Sequence, residues 1–163
     1  FKFKPHENEP TVHHLEIIVG SRSCKGDVGF LAEVTEKIYK NTVTILLNSS
    51  FQLTGHKSCD NKGGLMHEML HVFGIGHTQN RADRDEYITV NVDNIDNSSP
   101  SYKEQYEVCE ECKVYKDIPY ECNSIMHYGR KTLSNGKGPT MEAKDEATCK
   151  LTEHGASQPT SSD

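Results

Sequence analysis

The eleven residues from His67 to His77, HEMLHVFGIGH, constrain this chain more than any other stretch. At about 3.6 residues per turn, His67 and His71 lie roughly 40° apart on one face of a helix. Two imidazoles one turn apart can point at the same metal ion. Glu68 lies about 60° to the far side of His71, so its carboxylate reaches a ligand of that ion without being a ligand itself. His77 would be rotated about 240° away on a continuing helix. The chain must therefore leave the helix and return, and Gly74 is the residue that tolerates the left-handed conformation ending helices. Three neutral imidazoles with an open fourth position are the ligand set of a catalytic zinc. Such an ion acidifies a bound water, and a carboxylate beside that water serves as general base. All four residues are present, which opposes a protease-like module that binds without cutting.

The spacing HExxHxxGxxH is the metzincin signature and calls for a methionine turn downstream. SIMHY at 124–128 supplies one, and RADRDEY at 81–87 follows the third histidine. With these three motifs in order, the chain resembles the astacin family of secreted zinc endopeptidases from about residue 15 to about residue 140.

The resemblance implies an α+β, metzincin-like fold. A twisted N-terminal sheet with the active-site helix (1–77) would face an irregular C-terminal half with the methionine turn (78–163), a cleft lying between them. It implies one zinc ion held by His67, His71 and His77, with Glu68 as general base. Tyr128 would be a further zinc ligand at rest that swings away when substrate binds and hydrogen-bonds the developing oxyanion. Met126 would form a hydrophobic floor beneath the histidines, with His127 turned away from the metal onto backbone groups. Cys24 would pair with Cys59. Comparison with such domains also implies a stretch truncated at both ends, lacking a first and a last core helix. A latent precursor with a propeptide, a secreted location and a monomeric enzyme are expected on the same ground. The chain departs from the family pattern at three positions. Thr78 stands for the usual Glu that holds the N-terminus released by propeptide cleavage, Ile75 for Phe, and Lys25 for an aromatic residue at the substrate edge.

Composition agrees with this class. The chain has 163 residues, one domain's worth, of which 34% are hydrophobic, and its mean hydropathy is −0.70. The core is modest and the surface polar. A net charge of −6 opposes a nucleic-acid partner, and no apolar run approaches the roughly 20 residues of a membrane span. The partner expected is a protein or peptide substrate. Six cysteines, Cys24, Cys59, Cys109, Cys112, Cys122 and Cys149, suggest disulfides in an oxidising compartment. The last four allow three pairings, and CEEC at 109–112 also fits a structural zinc or redox pair.

Elsewhere, HHLEIIV (13–19) reads as a strand with Leu15, Ile17 and Val19 on one side. His13 and His14 point to opposite faces and cannot serve one site. TVTILL (42–47) is a β-branched strand, and residues 30–40 have helical composition. YITVNVDNI (87–95) alternates as an extended segment. Asn48 and Asn97 open glycosylation sequons. Arg81, Asp83, Arg84 and Asp85 read as a network locking the segment after the third histidine. Arg130, Lys131 and Lys137 are candidates to line a wall that favours acidic substrate side chains. The QPTSSD tail carries residues that cap helices.

Overall fold

The structure, a computed structural model, describes residues 8, 14–19, 25–26, 40–45, 62–110, 118–160 and 163. Cys24, Cys59, Cys112, His13, the Asn48 sequon and the helix expected within 30–40 lie outside the described residues. The chain forms two compact units, Phe1–Ile75 and Gly76–Asp163.

The first unit contains a three-stranded sheet in the order β1-β3-β2, with β1 at His14–Val19, β2 at Lys25–Gly26 and β3 at Lys40–Ile45. β1 runs parallel to β3 with His14 opposite Lys40, and β2 runs antiparallel with Gly26 opposite Val43. β3 starts two residues earlier than its β-branched run suggests. The helix α1, Lys62–Val72, packs on β2 and β3. β1 is an edge strand among the described strands, and its successive residues Ile17 and Ile18 are both exposed. Of the apolar residues around the ligand face of α1, Val72 is buried and Phe73 exposed.

The second unit is built around a two-stranded antiparallel sheet, β4 at Ile88–Val90 and β5 at Met141–Ala143, with Ile88 opposite Ala143. The expected extended segment 87–95 is a strand only to Val90; a 3-10 turn, Val92–Asn94, follows. A short helix α2, Ser101–Glu104, comes next. The core consists of Ile88, Ile95, Tyr106, Tyr120, Cys122, Met141 and Cys149. Few of these are aliphatic, as the modest hydrophobic content requires. Fully burying Ile88, Ile95 and Met141 contributes about 1.5–3 kcal/mol each. The Cys122–Cys149 disulfide, buried in the same core, closes a loop of sequence separation 27. By the loop-entropy argument it adds roughly 3.5 kcal/mol. Cys109 is also disulfide-bonded.

No described helix is long and apolar enough to cross a membrane.

Candidate metal centre

Helix α1 ends at a glycine in the left-handed region, Gly74, with φ 88°. The Gly74 amide donates to the His71 carbonyl (2.8 Å) and the Ile75 amide to the Leu70 carbonyl (3.0 Å). This paired pattern is a Schellman cap, and it reverses the chain at the point expected. The reversal also places the Ile75 carbonyl where His71 Nδ1 donates to it at 2.8 Å. A proton on Nδ1 leaves the lone pair on Nε2, the arrangement a metal-binding histidine needs. His71 Nε2 lies 3.1 Å from His67 Nε2. Two nitrogens bound to one tetrahedral zinc stand about 3.3 Å apart, so this pair fits.

The chain then extends through His77, whose φ and ψ are −68° and 138°. One ligand atom from each of His67, His71 and His77 lies within 4.8 Å of the others. The donor set is three imidazoles, two of them already at ligand spacing, and it suits zinc. Burial, and then the neighbouring His67, pull the His71 pKa below its ordinary value and favour the neutral, ligating form.

Glu68 is 7% exposed on the same helix. Burial raises its pKa, while His67 and the Gly26 amide that donates to its carboxylate work the other way. A carboxylate held above its usual range beside imidazoles is suited to taking and returning a proton.

Within the second unit, the 3-10 turn Thr78–Asn80 directly after His77 is fastened to SIMHY. The Thr78 amide donates to the Met126 carbonyl at 3.0 Å, and Thr78 Oγ1 donates to Ser124 Oγ at 3.2 Å. The Tyr128 amide donates to Oε1 of the fully buried Gln79 at 3.1 Å. Met126 is 1% exposed. The Tyr128 ring lies 4.6 Å from the His77 ring, centroid to centroid. His127 is buried; its Nδ1 donates to the Tyr128 carbonyl (2.7 Å), and its Nε2 meets the Tyr120 hydroxyl (2.8 Å). Burial lowers the His127 pKa to about 4, so the ring is neutral and Nε2 accepts the Tyr120 proton.

The charged run sorts into two anchors. Arg81 pairs with Asp83 at 2.7 Å, donates to the carbonyls of Ile118 and Pro119, and lies over the Tyr120 ring. Arg84 is buried and donates to the carbonyls of Gln79 (2.9 Å) and Tyr106 (2.7 Å). Arg130 and Lys131 face Glu153 at 3.7 and 2.9 Å, so one carboxylate offsets part of their charge, and Lys137 is exposed.

Spacing and composition single out neither Gln79 nor Asn80, and they present Asp163 only as a helix-capping residue of the QPTSSD tail. Asp163 accepts from Ser124 Oγ, from the Ile125 amide (3.1 Å), and from the amide and hydroxyl of Thr160 (2.7 and 3.0 Å). The Thr160–Asp163 spacing of a capping box was the signal available. Gln79 and Asn80 carry no comparable signal.

The family model described as Astacin, a family of peptidases, matches residues 46–162. The chain belongs to the astacin family. Among curated astacin-type relatives, Zinc metalloproteinase nas-31 of Caenorhabditis elegans is 41% identical over 88 residues, 53% of this chain and 14% of the relative. Meprin A subunit beta of Homo sapiens is 28% identical over 139 residues, 85% of this chain and 17% of the relative. The chain thus spans less than a fifth of the length of either. Among solved structures, High choriolytic enzyme 1, a hatching enzyme zinc-protease from Oryzias latipes, matches with a TM-score of 0.65 at 22% identity. The match covers 93% of this chain and 63% of that one, and it assigns the astacin fold.

Proposed function

We propose that this chain is the catalytic part of a secreted zinc endopeptidase that cuts extended protein substrates. The observation that carries this reading is the convergence of His67, His71 and His77 with a buried glutamate on the same helix as the first two. The three histidines would hold the ion through neutral imidazoles. Zinc, when bound, supplies Lewis-acid polarisation of the scissile carbonyl and a water acidic enough to deprotonate near neutral pH.

Glu68 would take a proton from the attacking water as the water oxygen bonds to the carbonyl carbon. It then delivers the proton to the amine as the C–N bond breaks. The Tyr128 hydroxyl donates to the oxyanion of the tetrahedral state. Met126, whose carbonyl holds the turn directly after His77, steadies that histidine. A disulfide-bonded core suits an oxidising, extracellular setting.

The test is zinc content and cleavage of an unstructured protein before and after chelation, repeated for Glu68→Gln. One zinc per chain in both proteins is expected. Cleavage is expected to fall by about 10²–10⁴-fold in the variant and to vanish on chelation. A folded chain that binds no zinc would overturn the reading, as would full cleavage by Glu68→Gln.

A further inference from the structure

Tyr128 is fixed in its main chain and turned toward a second partner through its side chain. Its amide is held by buried Gln79 and its carbonyl by buried His127, which is itself held by Tyr120. With both backbone groups tied, the phenol relocates by rotation about its side-chain bonds, not by movement of the loop. Its hydroxyl donates to Oε1 of Gln105 at 3.2 Å.

Gln105 is not placed there by chance of a loose surface. Its main-chain carbonyl accepts from Asn80 Nδ2 at 3.0 Å, and the same amide group donates to the Glu107 carbonyl at 2.6 Å. Its amide donates to the Ser101 carbonyl at 3.3 Å, and the Cys109 amide returns to the Asn80 carbonyl at 2.7 Å. The turn Thr78–Asn80 therefore does three things in consecutive positions. It follows His77, it ties Tyr128 through Gln79, and it ties Gln105 through Asn80. The tyrosine, its partner and the third histidine hang from one short piece of backbone, so their mutual distances are set together.

We propose that Gln105 is a positioning residue that holds the Tyr128 hydroxyl in competition with the metal. The proposal rests on the reading of Tyr128 as a group at the zinc site. The hydroxyl that donates to Gln105 is the same group that a metal ion would engage, so the two draw on one side-chain oxygen. The two states exclude one another, and Gln105 sets their ratio. The amide oxygen is a neutral acceptor at the surface, so the bond is weak enough to be exchanged.

The test loads the apo protein with Cu(II) alone and reads the visible phenolate-to-copper charge-transfer band. Wild type, Gln105→Ala, Gln105→Glu and Tyr128→Phe are compared at equal copper content, with circular dichroism as the check on folding. Gln105→Ala is expected to raise the ratio of ligated to unligated tyrosine by roughly two- to tenfold, the range one hydrogen bond commands. Gln105→Glu replaces the neutral acceptor with a charged, stronger one and is expected to lower the band below the wild-type level. Tyr128→Phe should have no band. Equal bands in wild type and Gln105→Ala, with one copper bound in each, overturn the role of Gln105 and leave the metal site standing. A folded wild type that binds no copper overturns the metal site and this proposal together. Copper binding with no band in wild type or Gln105→Ala also overturns the proposal.

Discussion

Gly26 lies against the main chain of Glu68 so closely that a β-carbon on it would stand 2.3 Å from the Glu68 carbonyl oxygen. The obstacle is helix backbone and cannot rotate away. Gly26→Ala should therefore push β2 and α1 apart and cost about 1–3 kcal/mol, as overpacking does. Urea unfolding of the variant measures this, and an unchanged midpoint would show that the strand yields freely. The Gly26 amide also donates to the Glu68 carboxylate, so the displaced glutamate should lose activity beyond the loss of stability.

Arg84 and Asp85 form an ion pair at 2.7 Å, but the Asp85 side chain is 71% exposed. That pair contributes at most about 1 kcal/mol, so Asp85→Asn should be nearly silent. Arg84→Met is a different change. It leaves the carbonyls of Gln79 and Tyr106 without their buried donor and should cost about 2–4 kcal/mol. Thermal melts of the two variants side by side decide this; similar shifts would mean that the ion pair, not the carbonyl bonds, is what matters.

Asp163 takes four donors on one carboxylate, two of them from residues 124 and 125 that open the methionine turn. Asp163→Ala should lower stability by about 1–3 kcal/mol and loosen Ser124, whose hydroxyl also bonds Thr78 and the Met126 amide. Hydrogen exchange at Ile125 and Met126 is the direct reading. Unchanged protection there would refute the anchoring role.

Burial raises the pKa of both Tyr106 and Tyr120 above the ordinary phenol value of 10.0. Below pH 10 both phenols are protonated in folded and unfolded chains alike. Above it the unfolded chain releases protons that the folded state still binds, so stability falls with rising pH. The denaturant midpoint should fall progressively as pH rises above 10. Tyr120→Phe should shrink that drop; if it does not, the lost stability comes from other groups.

Much of the site was legible from spacing alone. The helix over His67 and His71 and the reversal at Gly74 follow from rotation per residue and from one left-handed glycine, both local properties. The second-unit framework was not legible, because its contacts join residues 78–80 to residues 105–128 and depend on tertiary placement. Gln79 looks like any polar residue after a ligand, yet it is fully buried and holds Tyr128. In β1, period-two patterning places Leu15, Ile17 and Val19 on one side, yet both Ile17 and its neighbour Ile18 are exposed on this edge strand of the described sheet. Burial depends on what packs on a strand, which period-two patterning does not contain.

The link between Cys122 and Cys149 encloses every residue of SIMHY, the Gly- and Lys-containing loop after it, and β5 in one covalent ring. That loop carries the exposed residues Lys131, Gly136 and Lys137, where a protease can reach the chain. A cut anywhere inside the ring leaves two pieces still joined through sulfur, with Tyr128 and its support attached to the same core. Nicked protein would then migrate as one species until reduced, and damage to the loop would be visible as new chain ends before it was visible as lost material.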